Sequence, residues 1–126
     1  MLKIVNNKIF IVRGDDEMIL PQLRYADGEN TPYRMQPEDV LTLTVRALPQ
    51  RGSPVLLQVK GEAGSNCICL RHEDTAGMEY GAYSADIQLT LADGRRMTVW
   101  PEQMGSDRIK GRNLKNFNVA SEVTME

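Results

Sequence analysis

Residues 81–100 read GAYSADIQLTLADGRRMTVW, and they limit what the chain can fold into more than any other stretch. Tyr83, Ala85, Ile87, Leu89 and Leu91 alternate with Ser84, Asp86, Gln88 and Thr90. A period of two sends one set to each face of a strand, the pattern of an antiparallel sheet with one face buried. Asp93-Gly94 follows, the strongest short hairpin signal, and Arg96–Trp100 supplies the returning strand. An isolated hairpin is marginal in water, so this one needs further strands to pack on.

The rest of the chain offers them. DVLTLTVRA puts Leu41, Leu43, Val45 and Ala47 on one face, and PVLLQVK does the same with Val55, Leu57 and Val59. KIFIVRG, CICL and KNFNVA are shorter candidates. Asn6-Asn7 is expected to turn Leu2–Val5 back on Lys8–Val12, and loops are expected at 49–54, 60–66 and 101–113. No segment holds a period of 3.6, so helix is expected only as one turn near residues 73–78. The predicted fold is all-β: a single antiparallel β-sandwich over residues 1–126, immunoglobulin-like, with at most that one helical turn. Its expected core is Leu41, Leu43, Val45, Val55, Leu57, Val59, Tyr83, Ile87, Leu89 and Val99. Tyr83 opens the best strand, two residues after Gly81. There an immunoglobulin-like fold often carries a tyrosine whose hydroxyl bonds to upstream backbone. Ala85 takes the place of the second antibody-domain cysteine, so the sandwich is expected to lack that disulfide.

Length and composition bound the function. One hundred and twenty-six residues suit one domain. A net charge of −2 disfavours nucleic acid as a partner. No apolar run reaches the ~20 residues of a membrane helix, and MLKIVNNKIF lacks the apolar stretch of a secretory signal. Cys67 and Cys69 are expected as free thiols in the core of a strand, in a reducing compartment.

The motifs that suggest chemistry are weak. Arg13-Gly14-Asp15 is a three-residue adhesion match, better explained as a strand ending in a glycine turn. Asp15, Asp16 and Glu17 are consecutive, without the spacing of a calcium loop. Cys67, Cys69 and His72 lack the fourth ligand and the spacing of a zinc site. His72, Glu73 and Asp74 have no nucleophile in an elbow beside them, and Asp74 or Thr75 is expected to open a short turn that buries Met78. Arg108, Lys110, Arg112 and Lys115 form a basic segment without interleaved aromatics, which suits a partner-facing loop better than nucleic acid. No catalytic, metal or cofactor-binding residue is assigned, and an enzyme is not expected.

RGD near the start, PYRMQPEDVLTLTVRA, ICLRHEDTAGMEYGAYSADIQLTLADGRRMTVWP and the closing FNVASEVT have a collective layout. It resembles a family of small immunoglobulin-like proteins encoded in phages and prophages, mainly of Gram-positive bacteria. These are similar to the N-terminal domain of baseplate upper proteins of siphophage tails. The matching positions are Asp74-Thr75, Tyr80-Gly81, Tyr83, Asp86 to Leu89, Asp93-Gly94, Thr98-Val99 and Glu122 to Thr124. Residues 101–113 are longer than that family's link into its last strand. The resemblance implies a virion structural protein of tail, baseplate or head-accessory type. It would be made in the bacterial cytoplasm and act through contacts with other virion proteins, with no cofactor and no catalytic residues. The alternative is an immunoglobulin-like adhesin or carbohydrate-binding module, for which Tyr25, Tyr33, Tyr80 and Trp100 are the available aromatics. Apolar residues of both parities run from Ile9 to Val12. An edge ribbon of that kind invites pairing, so a homo-oligomer is expected with an interface that includes Leu2, Ile4, Phe10 and Val12.

Overall fold

The computed structural model describes residues 2–4, 9–25, 29, 31–47, 53–100 and 117–120. In chain order the strands are β1 (Leu2–Ile4), β2 (Ile9–Val12), β3 (Glu17–Ile19), β4 (Leu23–Tyr25), β5 (Val40–Arg46), β6 (Val55–Lys60) and β7 (Ile68–Leu70). After the four-residue helix α1 (His72–Thr75) come β8 (Gly81–Thr90), β9 (Arg96–Trp100) and β10 (Phe117–Ala120). The fold is all-β, and the helical turn falls where the sequence places one.

Strand β8 is the axis. Along residues 84–90 one of its edges pairs with β5, and β6 continues the sheet beyond β5. Its other edge is shared: β9 takes residues 87–90 and β10 takes residues 81–83. β2 closes that side by pairing with β10. Two short pairs, β1 with β4 and β3 with β7, supply the rest. Leu23, Ile68 and Leu70 from these pairs join Leu41, Leu43, Val45, Ile87, Leu89, Val99 and Phe117 from the large sheet in one buried cluster.

Pro21 explains why β3 and β4 are separate strands. It has no N–H to give a ladder, and the chain changes partner across it, from β7 to β1. The Asp93-Gly94 turn forms as expected. Gly94 N–H donates to Leu91 O at 2.9 Å and Leu91 N–H to Arg95 O at 2.8 Å, with Gly94 at φ 90°. That is a three-residue hairpin loop closed by a left-handed glycine.

Three expectations need correction. The sheet is not wholly antiparallel, because β2 and β10 run parallel. Parallel neighbours need a long connection, and here nearly the whole chain lies between them. Nor does β1 fold back on β2: it pairs with β4, in another sheet. Val55 is not core but 46% exposed. The register explains it: Leu57 faces Val45, but Val55 faces Arg46, so Leu56 is an extra residue in a bulge. A bulge reverses parity beyond it, which sends Val55 to the outer face with Arg46.

A second bulge has the opposite effect. Ile87 faces Trp100 and Gln88 faces Thr98, leaving Val99 as the extra residue. Val99 and Trp100 are consecutive, yet both are buried. Of the remaining expected core, Leu41, Leu43, Val45, Ile87 and Leu89 are buried, while Leu57, Val59 and Tyr83 are half-buried against the cluster.

Leu89→Ala is therefore expected to lower the unfolding free energy by about 2–5 kcal/mol. Val55→Ala, on the exposed side of the bulge, is expected to stay within about 0.5 kcal/mol. Urea unfolding of both variants checks the assignment, and equal losses would contradict it.

Candidate functional site

The RGD segment is built into a corner. β2 ends at Val12, and Asp15 N–H returns to Val12 O at 3.2 Å with Gly14 at φ 84°. A non-glycine residue would be strained at that φ. Gly14 N–H donates to the buried Thr75 Oγ1 at 3.0 Å, and His72 N–H donates to Asp16 Oδ1 at 2.6 Å. That backbone bond, followed by the His72 side chain, lowers the Asp16 pKa. The Arg13 guanidinium lies 4.2 Å from the centre of the Tyr80 ring and donates to Tyr80 Oη at 2.7 Å. The turn 13–16 is thus clamped on α1 and the segment after it. The expectation of a strand ending in a glycine turn holds, with Arg13 held against an aromatic ring.

Around α1, Asp74 Oδ2 accepts the Arg71 N–H at 2.8 Å and Met78 is buried. Asp74 closes the start of the turn, while the N-cap position is Arg71. The His72 ring sits 3.1 Å from Asp16 and 3.4 Å from Glu73, and all three side chains are exposed. Four residues along from Glu79, Tyr83 Oη donates to the Glu79 carbonyl at 2.6 Å, the bond expected of a tyrosine at this corner.

A second feature was missed in the sequence. Tyr25 and Tyr33 meet edge to face, ring centres 5.6 Å apart. They come together because the backbone at 23–25 pairs with that at 31–33: Tyr25 N–H donates to Thr31 O at 2.7 Å and Tyr33 N–H to Leu23 O at 2.9 Å. The available signal was Asp27-Gly28, a second hairpin dipeptide. Tyr33 Oη donates to Asp39 Oδ2 at 2.5 Å, and the Gln36 N–H donates to the same oxygen at 2.9 Å. Burial, then the bond to Asp39, pushes the Tyr33 hydroxyl up to about 12. Asp39 is itself buried and anchors the 61–66 loop through Gly64 N–H to Asp39 O at 2.8 Å. Beside this network an open cleft of about 780 Å³ runs between Pro21–Arg24, Pro32–Met35 and Gly64–Asn66. Of the four aromatics assigned to a glycan surface, Tyr25 and Tyr33 adjoin each other, Tyr80 lies under Arg13, and Trp100 is buried at 1% exposure.

The outer face of the large sheet is polar but only partly open. Gln58 Nε2 donates to Thr44 Oγ1 at 3.1 Å, Thr44 faces Asp86, and Arg46 faces Ser84. Burial raises the Asp86 pKa, opposed by the positive charge of Arg46. At the β2 end, Phe10 faces Asn118 on this outer side and is 70% exposed, with Val12 half-buried. The side chains of Leu2 and Ile4, the basic positions Arg108, Lys110, Arg112 and Lys115, and the loop 101–113 lie outside the described residues.

The cysteines are not core residues. Ile68 and Leu70 take the buried parity of β7, leaving Cys69 exposed and Cys67 half-buried. Their Sγ atoms are 3.2 Å apart. Among the described residues, no three His, Cys, Asp or Glu side chains group as a metal site, and no helix is long and apolar enough to cross a membrane. No family model matches the chain, and neither a curated protein nor a solved structure matches it.

Two titrations follow from these environments. A raised phenol pKa means Tyr33 stabilises the fold fully below 10, its ordinary value, and that contribution is lost as pH rises towards about 12. Spectrophotometric titration of the folded protein is expected to show a tyrosine step near pH 12 that Tyr33→Phe removes. Asp86 has a raised carboxyl pKa, so its ionisation costs native stability as pH rises from its ordinary 3.8 to the raised value. Asp86→Asn is expected to raise the urea midpoint at neutral pH, with the gain vanishing below about 3.8.

Proposed function

We propose that the chain is a phage or prophage virion structural protein, of tail, baseplate or head-accessory type, that works through protein–protein contacts on an immunoglobulin-like sandwich. The strand order supports the fold. β10, β8, β5 and β6 stand in the relation of strands G, F, C and C′ of a variable-type domain. The Tyr83–Glu79 bond at the start of β8 adds the tyrosine corner. On this scheme β9 and β10 are two halves of one last strand, and β2 is an added parallel strand along its free edge.

The observation that carries the functional reading is the β2 edge. Among the described residues it is the end strand of the large sheet, and Phe10 projects from it at 70% exposure. An end strand offers unpaired N–H and C=O groups, and a large exposed aromatic beside them is costly to leave in water. A second copy related by a two-fold axis would satisfy both at once. The interface would be Phe10 and Val12, with Leu2 and Ile4 on the neighbouring N-terminal segment.

Light scattering is expected to give a mass above that of one chain, and Phe10→Asp is expected to return it to monomer. A monomer at high concentration for the parent chain would remove the self-association. Mass spectrometry of particles from an induced lysogen tests the larger claim: the chain is expected in purified virions, and its absence from them would refute it.

The Tyr25–Tyr33 pair beside the open cleft favours a second reading, a carbohydrate-binding module. Tyr25 is exposed enough to stack on a sugar ring. Glycan-array binding lost in Tyr25→Ala, together with no association with virions, would select it.

A further inference from the structure

The outer face of the β3–β7 pair carries three sulfur atoms that nothing in the fold requires. Cys67 and Cys69 share a parity and their Sγ atoms touch at 3.2 Å. Directly across the ladder from Cys69 is Met18. Residues directly opposite in an antiparallel pair have Cα atoms about 4.5–5.5 Å apart, with side chains on the same face. Met18 is 65% exposed and Cys69 is exposed, so neither serves the core, which takes Ile19, Ile68 and Leu70 instead.

The backbone under the thiols is held in place. Cys67 N–H donates to Ser65 Oγ at 3.1 Å. A Cβ at Gly61 would sit 2.9 Å from the Cys67 carbonyl oxygen, so only glycine allows that approach. The Gly61 N–H in turn donates to Leu41 O at 2.7 Å, which ties the loop to the central strand β5.

We propose that Cys67, Cys69 and Met18 form a surface binding site for a soft monovalent cation of the Cu(I) class. Thiolate and thioether sulfurs together select such a cation over hard divalent ions. A thioether disfavours zinc, and His72, the only histidine, is engaged with Asp16. Metal–sulfur bonds of about 2.3 Å spread over a trigonal angle put the sulfurs about 4 Å apart. Small rotations of two exposed side chains reach that from the present contact. Met18, with three rotatable bonds, swings over as the third ligand. On binding, two S–H bonds break and two S–Cu bonds form. Both protons pass to solvent, Met18 contributes a lone pair, and no electron changes hands.

The test is anaerobic competition between the reduced full chain and a chromophoric Cu(I) chelator. The parent chain is expected to withdraw one Cu(I) per chain, with only sulfur neighbours in its X-ray absorption spectrum. Cys69→Ser, an exposed and structurally silent change, is expected to abolish this, and Cys67→Ser likewise. Met18→Leu keeps the apolar volume and is expected to weaken binding at least about tenfold, the least that losing even a supporting group costs a metal site. Competition by Cys69→Ser equal to the parent, unchanged affinity in Met18→Leu, or a nitrogen- and oxygen-dominated shell would each overturn the three-sulfur site.

Discussion

The hydrogen-bonding demand of β8 organises everything else. Ten residues of extended backbone run through the middle of the sheet, with one face buried almost throughout. A buried N–H or C=O without a partner costs about as much as a lost hydrogen bond, so both edges must be covered along most of the strand. β5 covers one edge along residues 84–90. No single strand covers the other; β9 and β10 divide it. The bulge between Val99 and Trp100 then turns two successive side chains inward, so β9 fills more core than its length suggests. The short pairs β1–β4 and β3–β7 serve to lay Leu23, Ile68 and Leu70 over the face that β8 and β5 expose.

Much of this was legible in the sequence because side-chain alternation reports a buried face directly. β5, β8 and their core residues came from parity alone, and Tyr83 came from its place after Gly81. Parity fails where one residue is inserted. Nothing in VLLQVK marks Leu56 as the extra residue, and so Val55 was assigned to the wrong face. The cysteine assignment failed for another reason. NCICL alternates equally well either way, and the choice was made by the larger Ile68 and Leu70, which gain more from burial than a thiol does. β3 and β4 went unseen because Pro21 cuts one strand into two runs of three, too short to show a period. Partnership between distant segments, β1 with β4 and β2 with β10, leaves no local trace at all.

Residues of the acid–base and adhesion motifs also join backbone segments. Arg13, Gly14, Asp16, His72, Thr75 and Tyr80 hold the end of β2 to the corner that precedes β8. Together with the Tyr83–Glu79 bond they fix the entry of the central strand. The polar residues that look most like a site in the sequence thus also orient backbone. The side chains left over, Phe10, Met18, Tyr25 and Cys69, are exposed and face outward from the short strands.

The divided last edge of β8 has a consequence for synthesis. Were β9 and β10 one continuous strand, three residues would span the gap between the partners of Ile87 and Tyr83; sixteen stand there. Among the described residues, β2 takes its strand neighbour from β10, more than a hundred residues downstream. Pairings so far apart in sequence form late, after the loop-closure entropy between them has been overcome. As the chain leaves the ribosome, β5, β6, β8 and β9 can assemble while Ile9–Val12 still lacks its β10 partner. That segment is among the first strands made, yet it stays without its β10 neighbour until Phe117–Ala120 has emerged.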